Sequence, residues 1–149
     1  MFELIKRMKD VQFYALMAML VAAEGILVLA GVLPPLAVSD PVHTLFLCVR
    51  MAAFVLFGYK LATGGFGRAL LKGSFMALSG MIVEVVLLFI GRMIGTPLLG
   101  IPAPNDFILY LSLLVVVVAN VILDSMIVGL SAWFFVKLVP GKEKKKRRR

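Results

Sequence analysis

Residues 73–95 read GSFMALSGMIVEVVLLFIGRMIG, a long apolar run with one carboxylate, Glu84, at its middle. At helical spacing Gly73, Ala77, Gly80, Glu84, Gly91 and Gly95 fall along one stripe, and every member except Glu84 is small. Apolar side chains gain little by leaving hydrocarbon, so a small-residue stripe marks where another helix backbone packs closely. That reading turns Glu84 toward protein. A carboxylate near the middle of a bilayer is costly unless it is paired, hydrated or protonated, which makes it a functional candidate.

The rest of the chain repeats this chemistry. Of its 149 residues 62% are hydrophobic and the mean hydropathy is +1.04, well outside the soluble globular range. Four stretches, 11–33, 42–62, 69–94 and 107–139, are long enough to cross ~30 Å of hydrocarbon at about 1.5 Å per residue. The expected fold is all-α: a polytopic membrane protein whose residues 1–140 form one antiparallel four-transmembrane-helix bundle, followed by a basic tail at 141–149. The first stretch exceeds a signal-peptide core and has no small-x-small cleavage site, so it reads as a retained span.

Local signals set the ends of these helices. Pro34-Pro35 is expected to stop the first helix, because two successive residues lack N–H groups. Ser39-Asp40-Pro41 starts the second, with Asp40 as N-cap and Pro41 at the first helical position. The segment ATGGFGRALLKG, residues 62–73, reads as a tight turn, and it lacks the spacing of a phosphate loop. In the fourth stretch the run Val115 to Val118 favours strand in water, yet without a partner strand in lipid it becomes helix. The opening MFELIKRMKD reads as a short interfacial helix or a solvated charged start, and Ala15, Ala18, Ala22 and Gly25 form a second small stripe.

A net charge of +8 would point to nucleic acid in a soluble chain. Here the basic residues lie before the first span, around the second connection and in the tail, whereas the connections 31–41 and 95–106 hold no Lys or Arg. The positive-inside rule then places both termini in the cytoplasm, with the plasma (cytoplasmic) membrane as the expected bilayer and no nucleic-acid partner. Lys142, Lys144, Lys145, Lys146, Arg147, Arg148 and Arg149 are the expected contacts with anionic lipid headgroups, at about 1 kcal/mol per charge. Trp133, Phe134 and Phe135, with Tyr14 and Tyr59, form an inner aromatic belt, and Tyr110 marks the outer boundary.

The ionisable residues within the spans carry the functional reading. Counting about 1.5 Å per residue from the cytoplasmic ends places Arg50 roughly 15 Å deep, Glu84 roughly 18 Å, and Glu24 and Asp124 roughly 20 Å. Asn120 lies one turn outward from Asp124. One guanidinium facing three carboxylates leaves at least one acid without a strong partner, so it takes up a proton or binds a cation. Glu24 and Glu84 are the expected titrating or coordinating pair, Arg50 the internal counter-ion, and Asp124 with Asn120 the remaining ligands.

Other chemistry finds little support. Cys48 is a lone cysteine expected to pack in the core. His43 is the only histidine; it reads as an interfacial residue, and neither a bis-His haem nor a carboxylate-bridged dimetal site with Glu-x-x-His can form. No cofactor is expected, and no serine or threonine pairs with His43 as a nucleophile. Glu24-x6-Gly31 recurs as Glu84-x6-Gly91, a hint of duplicated hairpins. The sequence therefore points to a non-enzymatic proton- or cation-coupled transporter or conducting subunit, within a homo-oligomer or larger membrane complex. The alternative is an accessory or assembly subunit whose charges pair helices or a partner.

Overall fold

A computed structural model describes residues 2–96, 98 and 106–138. They form a short helix α1 (Phe2–Arg7), four long helices α2 (Asp10–Leu29), α3 (Pro41–Leu61), α4 (Phe66–Met93) and α5 (Asp106–Leu138), and a single 3-10 turn, Ala62–Gly64, between α3 and α4. No strand occurs among the described residues. The four long helices have the length and apolarity to cross a membrane.

The start of α3 follows the sequence closely. Asp40 Oδ1 accepts the Val42 N–H at 2.7 Å, and Pro41 occupies the first helical position. The end of α2 does not. The helix stops at Leu29 rather than near residue 33, and the prolines come too late to be its terminator. Gly31, at φ +73°, closes the helix in the left-handed conformation, with Gly31 N–H bonded to Val28 O (3.0 Å) and Val32 N–H to Leu27 O (2.9 Å). This is the paired-bond glycine stop that satisfies the last free carbonyls of a helix. Gly95, at φ +77°, ends α4 in the same way through bonds to Arg92 O and Gly91 O. Gly31 and Gly91 thus have different jobs, one a helix stop and one a packing position inside α4, so the recurring Glu-x6-Gly spacing does not mark equivalent places. The α4 helix also begins three residues earlier than expected, at Phe66.

Helix α4 sits between α2 and α5, α3 packs on α5, and the contact between α2 and α3 is slight. The glycine stripe of α4 explains its central position. A Cβ on Gly73 would meet Val128 and Ser125 of α5, and a Cβ on Gly80 would meet Met17 and Val21 of α2. One stripe therefore serves two neighbours. Ser79 adds a polar link: its Oγ lies 2.7 Å from Met76 O and 3.0 Å from Tyr14 O of α2, so one hydroxyl proton is shared between its own helix and the next. The small stripe expected on α2 is its packing face only in part: Gly25 is buried against Leu87 of α4, Ala18 and Ala22 are half-buried and Ala15 is exposed. The buried side is Phe13, Met17, Val21, Glu24, Gly25 and Val28. Large side chains fill the seam where α4 presents glycine.

Two apolar clusters result. The larger gathers Phe13, Met17, Phe57, Met76, Ala77 and Val128, with Phe13 and Phe57 rings 4.8 Å apart; the smaller gathers Val28, Leu87 and Leu98 near the 30–40 connection. Tyr14 and Tyr59 belong partly to the larger cluster, packing edge-on against Phe57 and Phe135, so only part of the expected aromatic belt is free to face lipid. Trp133 and Phe134 are exposed, and Lys137 Nζ lies 3.7 Å from the Trp133 ring centroid. The α1 helix docks rather than floats: Ile5 is buried in the larger cluster. Lys6 hydrogen-bonds Glu3 at 3.4 Å, and this bond, assisted by Tyr59, raises its ammonium above the usual lysine value.

Below the larger cluster, Asp10 at the start of α2 accepts from both Lys60 of α3 and Lys72 of α4. Lys60 also lies over the Phe13 and Phe57 rings at 5.5 and 5.7 Å. The lysines that the sequence assigns to topology are therefore also structural, joining three helices through one carboxylate. Asp10→Asn removes both ion pairs from a partly exposed position, so it is expected to lower stability by about 1 kcal/mol. Unfolding by SDS titration from mixed micelles measures it, and an unchanged midpoint would show the bridge to be idle.

Candidate functional site

Between the two apolar clusters lies the polar one. It follows from the way α3 leaves the bundle. From Pro41 to Ala52 no α3 residue is buried; only His43, Phe46 and Arg50 are half-buried, and packing against α5 begins at Ala53. Cys48 is exposed, contrary to the core position expected of it, because it lies on this outlying half. The separation opens a cleft of about 370 Å³ lined by residues of the 36–40 segment and by His43, Arg50, Glu24 and Glu84.

Glu24 is the centre of the cleft floor and is 3% exposed. About one turn from Val21 on one side and from Val28 on the other, it is the only acidic side chain on the buried face of α2. Its Oε1 lies 2.8 Å from His43 Nδ1, and its Oε2 forms an ion pair with an Arg50 terminal nitrogen. His43 Nε2 in turn lies 3.0 Å from the carbonyl oxygen of Pro34. His43 and Arg50 are seven residues apart, two turns of α3, so both reach the same carboxylate from one face. His43 is thus not a loose interfacial residue. Its signal in the sequence was that shared face with Arg50.

Arg50 meets Glu24 through one terminal nitrogen, and its Nε–H has no acceptor among the described residues. Glu84 lines the same cleft yet makes no hydrogen bond or ion pair with the described residues. It interacts with Arg50 through space, as does Asp124 of α5. Asp124 and Asn120 are both half-buried and line no part of the cleft described here. The expected roles are therefore redistributed. Glu24 meets two partners, and Glu84 and Asp124 have no direct one among the described residues.

The polar residues form a descending series rather than a flat layer. At about 1.5 Å per residue, His43 lies roughly 3 Å, Glu24 roughly 8 Å, and Arg50 and Glu84 roughly 14 Å from the ends of their helices nearest the 30–40 connection. No group of three or more metal-ligating side chains occurs among the described residues. The basic residues Lys142, Lys144, Lys145, Lys146, Arg147, Arg148 and Arg149 lie outside the described residues, as does the side chain of Tyr110.

Four helices of this length and apolarity suggest an integral membrane protein. Compared with protein-family models, curated proteins and solved structures, the chain matches none. Its function is argued from the cleft alone.

Proposed function

We propose that the protein moves protons or small cations, as a coupled transporter or a conducting subunit, through the cleft shared by Glu24, His43, Arg50 and Glu84. The observation that carries this reading is that Glu84, an acid deep in a membrane-spanning helix, lines an open cleft and lacks a direct partner among the described residues. An acid so placed is accommodated by water, by a bound cation or by taking up a proton, each of which the cleft can deliver. Asp124 and Asn120 continue the series toward the opposite end, with Arg50 as the fixed counter-charge.

The contacts of α4 with α2 and α5, and of α3 with α5, support an antiparallel four-helix bundle. The basic residues around Lys60 and Lys72 support cytoplasmic termini in a plasma membrane, so the cleft opens outward. The basic tail rests on anionic headgroups in this scheme, and the outlying half of α3 offers a face to a second copy or a larger complex. No enzymatic step, cofactor or nucleic acid enters it.

Purified protein in proteoliposomes with an imposed pH gradient and potential tests the reading. Glu84→Gln is expected to reduce proton or cation flux at least about tenfold, because the step needs an ionisable group at this depth. Flux equal to that of the parent protein would exclude it. A second reading has its own support. The pairing of Glu24 with both His43 and Arg50 is what an assembly device would use to hold α2 to α3. An accessory subunit of this kind copurifies with another membrane protein and carries no flux alone.

A further inference from the structure

Both ring nitrogens of His43 face oxygen atoms, and the geometry counts protons. Nε2 lies 3.0 Å from the Pro34 carbonyl oxygen, which can only accept, so Nε2 carries a proton. A neutral ring protonated there has a bare lone pair at Nδ1. That lone pair would face Glu24 Oε1 at 2.8 Å, oxygen against nitrogen with nothing between them. The contact closes only with one further proton in it. Arg50 holds the other oxygen of Glu24, which favours the carboxylate and leaves the proton on the ring.

The surroundings allow a second cation beside Arg50. Glu24 reaches His43 from α2, Asp40 stands at the start of α3, Glu84 faces the cleft from α4, and Asp124 of α5 interacts with Arg50. Among the residues lining the cleft Arg50 is the one cation beside the ring, against the carboxylates of Glu24, Asp40 and Glu84. The ring also holds a piece of the cleft wall. Pro34 belongs to the connection whose residues 36–40 line the cleft, and the other tie across this connection is Leu36 N–H to Leu98 O at 2.9 Å.

We propose that His43 and Glu24 together form a proton-binding site at the cleft entrance, and that loss of its proton releases the Pro34 carbonyl and loosens the 34–38 segment over the cleft. The proton leaves Nε2, which faces a neutral carbonyl, for water in the cleft, and the Nε2–Pro34 hydrogen bond goes with it; Nδ1 keeps its proton on the Glu24 carboxylate. With the proton gone, the Nε2 and Pro34 carbonyl lone pairs face each other and repel, which drives the 34–38 segment away from the ring. This deepens the proton-handling reading and rests on it for its purpose, but its chemistry is measurable without flux.

Because the chain has a single histidine, nitrogen-15 histidine labelling gives one ring without ambiguity. Solid-state NMR of the full chain in lipid bilayers across pH reports which nitrogens carry protons. The expected result is an imidazolium at low pH that gives way in one step to a ring protonated on Nδ1 alone, with Glu24→Gln losing that preference between the two nitrogens because the carboxylate is gone. A neutral ring protonated on Nε2 alone, or a ring that never changes its proton count between acidic and alkaline pH, would overturn the site, and the parent spectrum decides this even if the variant fails to fold. In the same membranes, Leu36→Cys in a Cys48→Ser background, half-buried in this segment, is expected to react several-fold faster with a membrane-impermeant thiol reagent above the midpoint than below it, after division by the rate of an exposed Ala37→Cys control that removes the effect of pH on the thiol itself. A rate that ignores the titration would overturn the coupling. A normal His43 titration in a protein without flux would refute the transport reading and leave the proton site standing; flux with no His43 titration would do the reverse.

Discussion

Glu24→Ala is expected to lower the stability of the bundle by about 3–5 kcal/mol, since removing one partner of a buried ion pair leaves the others uncompensated. Here two partners are stranded, the Arg50 guanidinium and the His43 ring, at a position where Glu24 itself is 3% exposed. Arg50 has a short escape upward along its own helix, which keeps the loss within that range. Unfolding by SDS from mixed micelles measures it. Combined replacement by apolar residues, Glu24→Leu with His43→Leu and Arg50→Leu, is expected to recover most of the loss, because apolar groups of similar volume avoid the desolvation cost altogether. The triple variant then separates two questions: it restores the helix packing but carries no flux. Flux retained in a stable triple variant would show that the cluster is structural only.

The second large effect lies at Gly58, where α3 packs closely against α5. A Cβ there would stand 2.6 Å from Ser131 Cβ and 2.7 Å from the Val128 backbone oxygen. Backbone cannot turn aside as a side chain does, so α3 has to move off α5 to admit one. Gly58→Val is expected to cost about 3 kcal/mol, at the upper end of overpacking penalties. The displacement also draws Arg50, two turns along the same helix, away from Glu24, so the loss is not additive with Glu24→Ala. Gly67→Ala is the control. A Cβ there meets nothing within 4 Å, and alanine in a helix is worth up to about 1 kcal/mol over glycine. Equal effects at the two positions would contradict the close approach of α3 and α5.

Much of the fold was legible because lipid enforces it. Four long apolar runs in a chain with no spare soluble segment have few alternatives to helices, and the Asp40-Pro41 start follows from chemistry confined to neighbouring residues. The end of α2 was misread for a local reason: Gly31 and Pro34-Pro35 are both stop signals, and the first one reached takes effect. Packing faces were harder. The alanines of α2 and the glycines of α4 look alike in sequence, yet a glycine seam is filled by large residues from across it, so Met17 and Val21 were the positions to choose. In the cleft, residue types were readable but pairing was not. Which acid meets Arg50 depends on where α3 parts from the bundle, at Ala53, and that is a property of three helices together. His43 was passed over because a lone histidine near a helix start carries little signal without its partner, which lies 19 residues away on another helix.

The most direct measurement of the account is solvent access to position 84 in the membrane. Glu84→Cys in a Cys48→Ser background, reconstituted in sealed proteoliposomes, is predicted to react with a membrane-impermeant thiol reagent applied on the side of the 30–40 connection. Reaction from neither side, with full labelling only after detergent is added, would mean that the cleft is closed to water and that these charges serve only to hold the helices together.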